Sequence, residues 1–316
     1  MRILAWEDGA WRVQEGISFE EARALALGPV PVWVRAEGVD PTVWDQLGHW
    51  FDLHPLALED IRSRQRPKVE DYPGFTFVVA RIPRMTEEGP SWAQPGLFLG
   101  EGFVMTASPD ALPELDEAER RLMGGTALAR SGELDEVFHA VVDVVVDAWF
   151  PFMDALEERL EEVEDQVIDR ATRENLRDIR DLKDHASRTR KVLVPLRDAM
   201  LSLERGEHPN IRRETRLFLR DVADHTMRLA ERLDHVREMA LMAQETWNAT
   251  LANQQNETMK RLTLVAALLL FPGLVAAIGG MNFERGFPDW SFWSVTGGIL
   301  GFVVAGAVVA AWRRWI

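Results

Sequence analysis

Hydrophobic positions fall into distinct regimes along the chain. Over residues 1–132, short β-branched and aromatic runs at 30–34, 75–79 and 102–106 are bounded by Gly, Pro and Asp and predict strands. Between them, 18–27 and 41–50 have helical spacing, the second opening on Asp40-Pro41, a cap followed by proline at the first helical position. About 130 residues can bury a core of their own. Over 133–208 the spacing becomes helical throughout. Val137, Val141, Val144, Ala148, Phe152, Leu156, Leu160, Val163 and Val167 recur at three- and four-residue intervals as one apolar stripe, with a kink expected at Pro151.

From residue 210 no proline or glycine interrupts the pattern until Pro272. This predicts one helix of roughly 70 residues, about 105 Å long, whose segment 209–261 forms a stalk. Within it Val222, Leu229, Val236 and Ala243 fall seven apart, as do Thr226, Leu233, Ala240 and Trp247, a seam expected to need partners from other chains. Two uncharged apolar spans follow. Residues 262–280 hold about 19 residues without an ionisable side chain, close to the ~20 needed to cross hydrocarbon. A loop, 281–289, leads to a second span at 290–312 and a short basic tail, 313–316.

The flanks set an orientation. Lys260 and Arg261 precede the first span and Arg313 and Arg314 follow the second, so both termini are expected in the cytoplasm. Trp290, Trp293, Trp312 and Trp315 suit interfacial belts. The first residues lack a basic start followed by an apolar core, so no signal peptide is expected. The chain has no cysteine, which fits a cytoplasmic domain and excludes thiolate metal sites. A net charge of -15 without a basic stripe argues against nucleic acid as partner. No phosphate loop, Ser/His/Asp arrangement or HExxH is present, so an enzyme is not expected.

Two polar segments admit two readings each. The face from Asp154 to Asp169 carries eight acids against Arg159; it is either a solvated helix face or a reservoir of charge that attracts cations. Asn248, Thr250, Asn253, Gln254, Gln255, Asn256 and Thr258 either form a loosely packed turn before the membrane or line water. On the second reading Asn256, Met259 or Thr263, Leu262 or Ala266, and Leu270 share one face, a polar rim passing into an apolar constriction. Two membrane helices cannot enclose an aqueous path, so a pore requires several copies around an axis. Neither span contains an ionisable residue, which removes proton relays and leaves passive movement.

Gly280-Met281-Asn282 at the end of the first of two C-terminal spans resembles the signature of the CorA family of divalent-cation channels. The segments 54–60 (HPLALED), 64–70 (RQRPKVE), 220–225 (RDVADH) and 256–260 (NETMK) are similar to family segments in the family's order. The resemblance implies an α+β cytoplasmic domain, a long stalk helix and two C-terminal transmembrane helices, assembled as a funnel-shaped homopentamer in the cell's inner membrane. It implies that Asn282, Gly280 and Met281 hold a hydrated cation at the outer mouth, with Asn256 a polar ring inside. Met259, Leu262 and Leu270 then form an apolar gate, and Glu284 and Asp289 attract cations to the loop. Asp221 matches a carboxylate that binds regulatory Mg2+ between subunits, its partner falling near Glu87 and Glu88.

The resulting expectation is passive uptake of Mg2+, with Co2+ and Ni2+ as further substrates, gated by cytoplasmic Mg2+. The zinc-transporting ZntB branch, carrying Zn2+, is the alternative within transport. A non-conducting cation sensor or scaffold is the alternative outside it.

Overall fold

A computed structural model describes residues 1–14, 17–86, 89–124, 132–279 and 292–312. The chain divides into two compact units, Met1–Glu164 with Arg177–Ala243, and Asp165–Leu176 with Gln244–Ile316.

The first unit is built on a seven-stranded sheet. Its strands are β1 (Arg2–Glu7), β2 (Ala10–Gln14), β3 (Val32–Glu37), β4 (Lys68–Tyr72), β5 (Phe75–Val79), β8 (Gly96–Gly100) and β9 (Phe103–Ser108), in the order β2-β1-β3-β9-β8-β5-β4. Only β3 and β9 run parallel, with Val34 opposite Met105; every other pair is antiparallel. A hairpin of β6 (Ile82–Thr86) and β7 (Gly89–Ala93) stands apart from it.

Helices cover both faces of this sheet. On one side α1 (Phe19–Ala26), α2 (Pro41–Trp50) and α3 (Pro55–Arg62) pack Ala22, Trp44, Leu47 and Ile61 against Val32, Val34, Phe77 and Met105. On the other, Arg35 projects from β3 to α4 (Leu115–Met123), where its guanidinium donates to Asp116 and Glu119 at 2.8 Å each. Beside α4 lies α5 (Leu134–Asp147). Coverage on both faces explains why β5, β8 and β9 are buried along their whole lengths and are mostly apolar, with Thr76, Thr106 and Ser108 as their buried polar members. The expected strands and helices of this region form, with Ser18 and Asp40 capping α1 and α2.

The helical part contains α6 (Trp149–Asp169), α7 (Arg173–Arg205) and α8 (Arg213–Gly279), the last 67 residues long. The chain does not kink at Pro151. It breaks between α5 and α6 at Ala148, so that Pro151 occupies the first turn of α6, where a missing N–H has no intrahelical acceptor to lose.

The start of α8 is tied to α5 by Asp135, which is buried and accepts from the Arg212 backbone at 3.0 Å, the Arg212 Nη2 at 2.8 Å and Thr215 Oγ1 at 2.6 Å. Burial alone would raise the Asp135 pKa, but these donors hold it below the usual carboxylate value.

The seam on α8 differs from its expectation. Val222, Thr226, Leu229, Leu233, Val236, Ala240 and Ala243 are buried within a single chain. Arg232 of α8 reaches Glu157 and Asp154 of α6 at 2.5 and 2.6 Å, and Arg190 of α7 lies 3.4 Å from Asp234. The chain's own helices therefore cover this stripe. A seven-residue repeat states that a stripe is buried, not which helices bury it.

In the second unit Trp247 donates from Nε1 to the Thr172 carbonyl at 2.7 Å, before α7 begins. Helix α9 (Phe292–Trp312) packs on α8 through Phe302, whose ring centroid lies 4.6 Å from that of Phe271. Gly306 leaves room for Leu268, whose Cδ2 would lie 2.5 Å from any added Cβ.

Replacing Leu229 by alanine opens a cavity in the intrachain seam. The expected loss is about 2–4 kcal/mol, read as a lower midpoint of thermal unfolding of the detergent-solubilised protein. It should be independent of protein concentration; a concentration-dependent loss would return this stripe to an interface between chains.

Candidate functional site

Helix α8 is long and apolar enough to cross a membrane, and none of that apolar stretch is buried. An apolar stretch of which no residue is buried is not the core helix of a water-soluble fold. Met259 is 59 %, Leu262 62 % and Leu270 71 % exposed. At about 100° per residue, Asn256, Leu262 and Leu270 all fall within about 60° of Met259, whereas Leu268 stands about 180° away. Leu268 is the residue that meets Gly306 of α9. The second apolar helix thus covers the side of α8 opposite the expected gate and leaves the gate side bare. Asn256, Met259, Thr263 and Ala267 line one open groove along it; Leu262 and Leu270 lie outside that groove.

Gly280, Met281, Asn282, Glu284 and Asp289 lie outside the described residues, as do Glu87 and Glu88. The flanks of the last two are described. Thr86 Oγ1 donates to the Gly89 carbonyl at 2.8 Å, and Gly89, at φ +104°, abuts His185 of α7 so closely that an added Cβ would lie 2.5 Å from its Nε2. A side chain at 89 meets both strain and collision.

Asp221 stands on α8 with 69 % of its side chain exposed, 3.5 Å from His225 Nε2. His225 leads to a cluster that residue spacing alone did not reveal. Ligand atoms of Asp143, Asp147 and His225 all lie within 4.8 Å of one another. His225 Nδ1 is 3.7 Å from Asp147 and is buried without a hydrogen-bond partner. That separation is too long for a hydrogen bond and near the roughly 3–3.4 Å between two ligands of one cation with bonds of about 2.1 Å. Two carboxylates and an imidazole make a donor set suited to a divalent metal with affinity for nitrogen.

Charge in the cluster is held by Arg121, which donates to Asp143 at 2.7 Å and to Asp147 at 3.2 Å. Burial, and secondly the Asp147 charge, push the Asp143 carboxyl above its ordinary pKa. Burial lowers the pKa of His139, against the attraction of Asp143 and Asp221. The signal that could have located the cluster is a pair of four-residue spacings, Asp143 with Asp147 on α5 and Asp221 with His225 on α8. Only the packing of α5 beside α8 turns two spacings into one site.

A family model described as CorA-like Mg2+ transporter protein matches residues 30–313. The cobalt/magnesium transport protein CorA of Thermotoga maritima is 30% identical over 259 residues, spanning 80% of this chain and 74% of its own. The complete CorA magnesium transporter of Methanocaldococcus jannaschii superposes with a TM-score of 0.76 at 20% identity, covering 100% of this chain and 99% of that one. The cytoplasmic domain of ZntB from Vibrio parahaemolyticus gives 0.64 at 11% identity, covering 80% of this chain and 98% of its own. The two solved structures share the fold of this chain.

Two outcomes are expected at the cluster. Co2+ should raise the unfolding temperature of the wild type more than Mg2+ does, and His225→Ala should abolish most of that difference; equal Co2+ stabilisation in both proteins would remove His225 as a ligand. In chelator, stability should fall as pH drops below about 6.5, because the unfolded histidine takes a proton there while buried His139 does not. The loss should continue down to its depressed folded pKa. Asp143 acts oppositely, its raised pKa making it less costly as pH falls. His139→Gln should flatten the first slope, and an unchanged slope would assign it to other groups.

Proposed function

The chain belongs to the CorA-like Mg2+ transporter family, a family of divalent metal ion transporters rather than enzymes, and from that premise we propose that it forms a homopentameric channel. It sits in the cell's inner membrane with both termini in the cytoplasm and passes Mg2+, with Co2+ and Ni2+ as further substrates. The observation that carries this reading is the bare face of α8. Met259, Leu262 and Leu270 are exposed on the side away from α9, and a ring of copies would turn that face toward a common axis.

Movement needs no energy source besides the membrane potential. An inward-negative potential of 100 mV contributes about 4.6 kcal/mol to the inward passage of a divalent cation, at ~2.3 kcal/mol per charge. Asn282, with Gly280 and Met281, holds the ion at the outer mouth through its water shell, since Mg2+ dehydrates reluctantly and an amide oxygen can accept from bound water. Glu284 and Asp289 concentrate cations there. Asn256 forms a polar ring at the inner end, and Met259, Leu262 and Leu270 close the path by dewetting. Relatives named for magnesium and cobalt support Mg2+ and Co2+ as substrates; the likeness to ZntB extends to the fold and adds nothing for Zn2+.

Cytoplasmic Mg2+ regulates the gate through Asp221 and the region of Glu87 and Glu88. Exposed carboxylates brought together between subunits repel, and a bound divalent cation converts that repulsion into a bridge. Its loss frees the stalks and shifts the gate toward a wider, wetted state.

Uptake into sealed vesicles, measured for Mg2+, Co2+ and Zn2+ side by side, tests the reading. Asn282→Leu should reduce Mg2+ flux more than about tenfold while the assembly keeps its mass; wild-type flux in this variant would refute the outer site. Asp221→Ala should leave current running at internal Mg2+ concentrations that close the wild type. Unchanged inhibition would place regulation on other acids. Absence of flux for every cation would favour a sensor or scaffold.

A further inference from the structure

A cleft of about 570 Å3 opens between the β6–β7 hairpin, the loop after α3 and helix α7, and its lining reverses the charge balance of the chain. Among the described residues, Arg64, Arg84, Arg188 and Lys191 line it against Asp110 alone. A second cleft shares Lys191 and adds Arg66, Arg190 and Arg237, with no acid among its described lining residues. The whole chain carries 36 basic against 51 acidic residues, so this concentration of cations runs against composition.

Nearby carboxylates neutralise it only in part: Arg188 pairs with Asp184 at 2.6 Å. Among the described residues, no carboxylate lies within ion-pair distance of Arg64, Arg66 or Lys191. Arg190 and Arg237 share one partner, Asp234, at 3.4 and 3.2 Å. Arg84 gives its 2.6 Å hydrogen bond to the Ala111 carbonyl and lies 3.7 Å from Glu114. Close by, Arg81 is only 7% exposed, and its recorded hydrogen bonds go to the Gln65 carbonyl, at 2.6 and 3.2 Å. Burial, and secondly the Arg64 charge, press its pKa down, against the attraction of Asp110. A buried guanidinium in that balance is stabilised by any further negative charge that arrives from outside.

One wall is aromatic. Trp92 lines the cleft and is held by Trp149, their ring centroids 5.5 Å apart and planes 20° from parallel. Trp149 is itself fixed by donating to the Arg81 carbonyl at 2.9 Å. Guanidinium forks match phosphate oxygens, and a fixed indole can stack a planar base. The volume falls within the ~300–1,000 Å3 usual for small-ligand pockets.

We propose that this cleft binds a nucleoside polyphosphate in its metal-free form. The metal-free form is favoured because a bound Mg2+ occupies the phosphate oxygens that the arginines need and cancels two of the negative charges, while among the described residues Asp110 is the one carboxylate that lines the cleft to receive the metal. Metal-free nucleotide rises as Mg2+ falls, so the site would report cation scarcity. That consequence rests on the channel reading above; the binding itself does not.

The test is calorimetric titration of the full-length protein in detergent with ATP in chelator, ATP with excess Mg2+, and inorganic triphosphate. Saturable binding of ATP is expected, weakened about tenfold by Mg2+ and by loss of the base, and weakened about tenfold or more in Arg64→Ala/Lys191→Ala. Both residues are exposed, so the fold should survive their loss. Asp110→Ala should tighten binding by about two- to threefold. No saturable ATP binding to the wild type, or an unchanged affinity in the double variant, overturns the proposal. So does a double variant that alters the number of chains per particle while ATP never binds, since the cleft would then receive an acidic segment of a second copy. These measurements do not depend on transport, so their failure leaves the channel reading intact, and a failed flux assay leaves them standing.

Discussion

A helix in water must cover its apolar side chains, and α8 does so along only part of its length. From Leu219 to Ala243 its apolar stripe is buried by the same chain. Beyond Gln244 one side meets α9 through Leu268 and Phe271, and the side holding Met259 and Leu270 meets nothing among the described residues. Uncovered hydrocarbon of this extent requires lipid, further copies of the chain, or both.

Charge follows the same division. In the first unit several acids are engaged: Asp135 is clamped by Arg212 and Thr215, Glu119 by Arg35, and Glu157 by Arg232. What remains unpaired is informative because so much else is paired. Asp143, Asp147 and His225 are held together around Arg121 with an unsatisfied imidazole nitrogen, and the cleft beside Trp92 gathers four cations against Asp110 among its described lining residues. A divalent cation could replace Arg121 between its two carboxylates, which would join α5 and α8 more strongly than a single positive charge does.

Much of the architecture was legible in the residues because each signal had one physical cause. Asp40 is a cap, 75–79 is a β-branched and aromatic strand, and the interval from 210 to 279 lacks a helix breaker until Pro272. What escaped depended on partners that a linear pattern does not name. The α8 repeat specified burial but not that α6 and α7 provide it, and Pro151 signalled a break whose position was set by its tolerance in a first turn. Of the candidate site, Asn256, Met259, Leu262 and Leu270 were placed on one face by spacing, and α9 leaves that face open. The carboxylate–histidine cluster was hidden because its members are 78 residues apart at the nearest approach of Asp147 and His225.

The central claim is that the bare face of α8 lines water in the assembled protein. The chain has no cysteine, so single cysteines can be placed in an unreactive background at 256, 259, 262, 263 and 270, and at 268 on the side that α9 covers. Flux of Mg2+ into proteoliposomes is then measured before and after a charged, membrane-impermeant thiol reagent. Block at 256, 259, 262, 263 and 270 with no effect at 268 is the predicted pattern. Block at 268 with none at 256, 259 and 270 would contradict it.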